Sequence, residues 1–266
     1  MNTFITLVQK ELWENNRTLL WLPAALVLAL WAFWAWLLLA SHQPPAGAGV
    51  HINGSDLLKV LALPFFIAAG LSAITFCGNT LLDERRDRAI LFWRSLPVSD
   101  LTTVASKVLV VMLLVPAIAM LGIVLAALPL LVVGPYSLPA LIHSWSQIAG
   151  HLLWLSLLMA PFYGAIMLLS ASTQRPLLWM LLLPVLLYIA ESLLLGEHPA
   201  SKLIFGHLLG EIMLVASSLA SDPIVSQSLT AGSALLQHTI TSLLVGLAIA
   251  LVLWGSCAEI RRRHLA

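Results

Sequence analysis

Few side chains in this sequence could do chemistry, and their densest group sits in one strip. Of 266 residues only 9% are charged and 60% are hydrophobic. The densest charge is a strip at 83–107. It reads Asp83-Glu84-Arg85-Arg86-Asp87-Arg88, then Ala89 to Trp93, then Arg94-Ser95-Leu96-Pro97-Val98-Ser99-Asp100, and closes at Lys107. Its residue types suit protein recognition. Ile90, Phe92 and Trp93 form an apolar, aromatic knob between Arg88 and Arg94, and aromatic and Arg side chains are the usual anchors of buried interfaces. The competing reading places Phe92 and Trp93 in the lipid headgroup layer.

Catalytic patterns are missing. There is no G-x-x-x-x-G-K-[ST], so the chain does not bind ATP in the P-loop manner. There is no H-E-x-x-H, no paired-cysteine metal pattern and no G-x-S-x-G elbow. The sequence therefore assigns no catalytic, metal-binding or cofactor-binding residue. His151 and Glu191 are the ionisable residues placed deepest in apolar stretches, and either could relay protons or line a translocation path. Their plainer role is a hydrogen bond to a neighbouring helix. His198, His207, Glu211 and Asp222 are too scattered to indicate a metal. Cys77 and Cys257 lie in apolar runs and read as small core residues rather than a disulfide.

Soluble domains carry roughly 25% charged residues, and the mean hydropathy here is +0.97. The composition is that of a multi-pass integral membrane protein. Net charge is +1, so no overall field points to nucleic acid. No cleavable signal peptide is evident. The expected fold is all-α, a single integral membrane domain over 1–266 with six spans.

Residues 1–17 alternate apolar and polar positions at helical spacing, with Trp13 as an anchor, and predict a helix lying in the membrane interface. Spans follow at about 19–40, 57–82, 105–133, 146–171, 177–195 and 236–257. Pro64 and Gly70 allow a bend in the second. Residues 134–143, with Pro135 and Pro139, read as a loop, and Ser172 to Pro176 as a tight turn. Residues 196–235 read as an external segment whose apolar patches could re-enter the outer leaflet. Among 13 Lys and Arg residues, all but Lys59 and Lys202 fall at the N-terminus, in the strip, at Arg175 or at the C-terminus. The positive-inside rule makes those four regions cytoplasmic, and six spans put both termini there.

Within the strip, Glu84 and Arg88 are spaced i,i+4 in the favourable order, and Asp83 and Arg86 i,i+3. They predict a short helix that Pro97 ends. Ser99 then caps a second helix with Asp100 in its first turn.

In this layout the chain resembles the type-2 ABC transporter permeases, the membrane subunits of bacterial ABC exporters. The similarity is most specific at the strip: acidic and basic residues at 83–88, the apolar run Ala89 to Trp93, Leu96-Pro97-Val98-Ser99, and Lys107. The resemblance implies that 83–104 is a cytoplasmic coupling helix docking on a separate ABC ATPase subunit. Glu84, Arg85, Arg88, Ile90, Phe92, Trp93, Arg94 and Pro97 would form that interface. It further implies a bacterial inner-membrane location, a second permease copy as partner in a homodimer, contact with membrane lipid, and ATP and Mg on the ATPase rather than on this chain. External re-entrant helices before the last span would correspond to 196–235. Two other classes are open on the residues alone. An ion-coupled secondary transporter would need functional intramembrane acids and an inverted repeat, of which only Glu191 is visible. A membrane-embedded enzyme would have to use His151, without a motif to support it.

Overall fold

The computed structural model describes residues 3–40, 54–86, 99–133, 138–194 and 232–263. Among these residues there is no strand, and all but a few belong to helices. Helix α1 is Thr3–Glu14. It runs through Asn15 into a π-helical turn, Arg17–Trp21, and on to α2, Leu22–Ala40. Helix α3 is Gly54–Arg86, and Pro64 lies inside it. Helix α4, Asp100–Leu109, passes through a second π turn, Val110–Leu114, into α5, Val115–Val133. Helices α6, Leu138–Leu158, and α7, Ala160–Ser172, are followed by α8, Pro176–Leu194, and α9, Gly232–Arg263.

Five stretches among these are long and apolar enough to cross a membrane. The α6–α7 pair makes a sixth if counted as one span, bent by 49° at Met159. Hydropathy alone therefore located the spans, and the chain has the architecture of a multi-pass membrane protein. Several boundaries differ from the sequence reading: α3 runs from Gly54 to Arg86, beyond the expected 57–82, and α9 begins at Gly232, inside the expected external segment. The expected loop at 134–143 is helical from Leu138, because Pro139 falls in the first helical turn, where a missing N–H costs nothing. The last helix extends beyond Cys257 to Arg263. The external segment 196–235 lies outside the described residues up to 231.

Two apolar cores hold the bundle. One gathers Leu19, Phe76, Val111, Tyr163, Met167 and Cys257 from the first span, α3, the α4–α5 span, α7 and α9. The other gathers Val27, Leu58, Phe65, Ile123, Leu141 and Ile148 from α2, α3, α5 and α6. Both cysteines are free and buried, packing in the first core. Small residues let helices approach closely, as membrane bundles require. A Cβ on Gly122 would come within 2.6 Å of Phe65 Cε1, and one on Gly164 within 3.1 Å of Leu253 Cβ.

Hydroxyls supply the polar contacts between helices. Ser170 Oγ donates to the Gly78 carbonyl at 2.7 Å and accepts from Leu82 N–H at 3.1 Å. Those two backbone groups would pair with each other in an unbroken helix, so α7 is keyed into the ladder of α3.

Candidate functional site

The ionisable residues at the two edges of the charged strip converge on a buried cluster. Lys107, on α4, is 1% exposed. Its ammonium donates to Glu11 Oε1 at 2.6 Å and Thr80 Oγ1 at 2.7 Å, and forms an ion pair with Glu84 Oε1 at 3.0 Å. Thr80 Oγ1 in turn donates to Glu11 Oε2 at 3.1 Å. Glu84 also takes Arg261 Nη1 on its other oxygen at 2.6 Å, and Arg261 Nε reaches Asp100 Oδ1 at 2.9 Å. Lys10 stands 3.7 Å from Glu84 and 3.5 Å from Glu14. Three carboxylates, Glu11, Glu84 and Asp100, thus face three bases, Lys10, Lys107 and Arg261. Burial of unpaired charge is prohibitive, and pairing of this quality is what permits it.

Each member is placed by local sequence. Leu7 and Glu11, one turn apart, are the buried positions of α1, while Ile5, Gln9 and Trp13 are exposed. Trp13 is 82% exposed. The apolar residues Leu7, Val8 and Leu12 pack on the bundle rather than on lipid. Burial pushes the Glu14 carboxyl above its ordinary value, with Lys10 pulling the other way. Thr80 and Glu84 are one turn apart on α3. Ser99, in extended conformation, accepts from Thr102 N–H at 3.1 Å and so starts α4, as its residue type predicted. That start aims Asp100 at Arg261 in the last turn of α9.

Arg85 takes a different role. Its guanidinium donates to the carbonyls of Ser170, at 2.6 Å, and Thr173, and so caps the end of α7. Of the eight residues expected at the ATPase interface, the two that fall among the described ones, Glu84 and Arg85, are therefore engaged inside the bundle. Glu84, 6% exposed, pairs with Lys107 and Arg261 instead of standing on an outer surface. The expected Glu84–Arg88 pair cannot be placed, since Arg88 lies outside the described residues, as do Ile90, Phe92, Trp93, Arg94 and Pro97.

The contacts bring α1, the end of α3, the start of α4, the α7–α8 turn and the end of α9 to one end of the bundle. These are the regions where Lys and Arg concentrate. His151 and Glu191 are elsewhere. His151 Nδ1 lies 2.7 Å from the Gln147 carbonyl of its own helix, a local contact. Glu191 is buried at 6% exposure on α8. Neither joins the cluster.

Among the described residues no group of His, Cys, Asp and Glu is arranged to hold a metal ion. Sequence reasoning did not single out Glu11, Thr80 or Arg261. The available signal was their type: a Glu on a helix otherwise read as amphipathic, and an Arg following an uninterrupted apolar span. Comparison with protein-family models, with curated proteins and with solved structures found no match.

Proposed function

We propose that this chain is the membrane-spanning permease subunit of an ATP-driven ABC exporter in a bacterial inner membrane. It would line the translocation path and take its energy from a separate ABC ATPase subunit carrying ATP and Mg. The observation that supports this reading most is the buried ion cluster. It fixes both edges of the strip, Glu84 before it and Asp100 to Lys107 after it, to α1 and to the end of α9. A segment that receives force from a soluble partner needs stiff roots, and a desolvated network in which Lys107 holds Glu11, Thr80 and Glu84 together is stiff. In this reading Arg88, Ile90, Phe92, Trp93, Arg94 and Pro97 meet the ATPase. Glu84 and Arg85 are the roots rather than the contact. The cytoplasm is the side on which the cluster lies, a second copy of the chain completes a homodimer, and 196–235 forms the external re-entrant segment.

The test is co-purification with a stand-alone ABC ATPase subunit co-expressed from the same genome. The wild-type pair should elute together from detergent. Arg88→Glu combined with Trp93→Ala should abolish the complex while leaving the thermal unfolding of the permease unchanged. Undiminished assembly in that variant rejects the docking role. The buried Glu191 keeps an ion-coupled transporter as the second reading. Uptake by the chain alone in proteoliposomes under an ion gradient would favour it.

A further inference from the structure

The two segments that run on from the ion cluster into a following span, after α1 and after α4, each do so through a π turn, and this pairing has a physical consequence. Arg17–Trp21 follows α1, and Val110–Leu114 begins three residues after Lys107. In the second turn Val115 N–H bonds to the Val110 carbonyl, the i to i−5 pattern. Such turns are rare and often functional. Each is held from outside by a serine of a neighbouring helix: Ser72 Oγ on α3 donates to the Thr18 carbonyl at 3.1 Å, and Ser156 Oγ on α6 donates to the Met112 carbonyl at 3.1 Å. A π turn carries about one residue more than an α turn. Converting it to α would rotate the helix beyond it by roughly 100° about its axis relative to the part before.

We propose that the ion cluster and the two π turns form one conformational device, a charge clasp with a hinge in each of its two outgoing spans. The clasp locks α1, the end of α3, the start of α4 and the end of α9 into a single unit. The hinges at Arg17–Trp21 and Val110–Leu114 let α2 and α5 change register against that unit without breaking it. The serine bonds set the resting register. The device rests on this geometry alone and does not depend on the ATPase reading.

Hydrogen exchange of the full-length chain in lipid nanodiscs tests it, resolved by peptide. Lys107→Met should raise exchange about tenfold or more together in Thr3–Glu14, in 99–107 and at the end of α9, while the core around Phe65 and Ile123 keeps wild-type protection. Glu11→Gln keeps the hydrogen bond to Thr80 and should give the same pattern, smaller; it carries the test if Lys107→Met does not fold. Exchanging the pair, Glu11→Lys with Lys107→Glu, should restore protection in part. Ser72→Ala should raise exchange at 17–21 and Ser156→Ala at 110–114, each locally. Unchanged exchange of α1 in Lys107→Met or Glu11→Gln, or a rise spread evenly over the whole bundle, overturns the clasp. Serine variants with no local effect overturn the hinges.

Discussion

At the scale of single residues, Lys107 governs the site. Its ammonium is desolvated, hydrogen-bonded to Glu11 and Thr80 and ion-paired with Glu84. Lys107→Met removes one charge and leaves the buried Glu11 carboxylate without a cation, while Glu84 keeps Arg261, so denaturant unfolding should show a loss of about 3–5 kcal/mol. The double variant with Glu11→Gln should lose less than the sum of the two single losses, because the second change removes a charge the first had already orphaned. Gly122 makes a different demand. Phe65 is fully buried against it, so a methyl has no room. Gly122→Ala should cost about 1–3 kcal/mol by overpacking, and Phe65→Leu in the same chain should recover part of it. Of these residues, the sequence pointed to Ser99 as a cap and to Glu84 as a charged helix position. It could not show that Glu84 meets Arg261, 177 positions away. Spacing rules see only neighbours on one helix, and they offered Arg88 instead.

At the scale of elements, two helix ends near the strip are secured by side chains. Ser99 caps α4 and Arg85 caps α7. Ser99→Ala should cost about 1 kcal/mol, and hydrogen exchange should place the fraying at 100–103, beside the Asp100–Arg261 pair. Arg85→Met frees two carbonyls of the α7 terminus and should cost about 1–3 kcal/mol, measured by unfolding in detergent. The spans themselves were legible because about 20 apolar residues suffice to cross a bilayer. The start of α6 was not, since Pro139 looks the same in sequence whether it opens a helix or sits in a loop. The two π turns were invisible for a related reason. Val110 to Leu114 is uniformly apolar, and only the serine on a neighbouring helix distinguishes its register from an α turn. The break at Met159 was likewise hidden, although Pro161 lies just after it.

At the scale of the whole molecule, the cluster explains why regions far apart in sequence carry the bases. The N-terminal helix, both strip edges, the α7–α8 turn and the last turn of α9 form one end of the bundle, and the four basic regions of the sequence belong to it. Single cysteines at Gln9 and Arg262, both exposed, introduced with Cys77 and Cys257 replaced, should react with a membrane-impermeant maleimide in inverted vesicles and not in intact spheroplasts. Labelling of the two from opposite sides would contradict the shared end. The central claim is that ATP hydrolysis on a partner is coupled to this chain through the strip. Its most direct measurement is the ATPase rate of the partner subunit in proteoliposomes, with this chain and with its Arg88→Glu, Trp93→Ala variant. The expected result is a rate that rises with the wild-type chain and returns to the partner's own level with the variant. A rate indifferent to the chain, or equally raised by the variant, would contradict it.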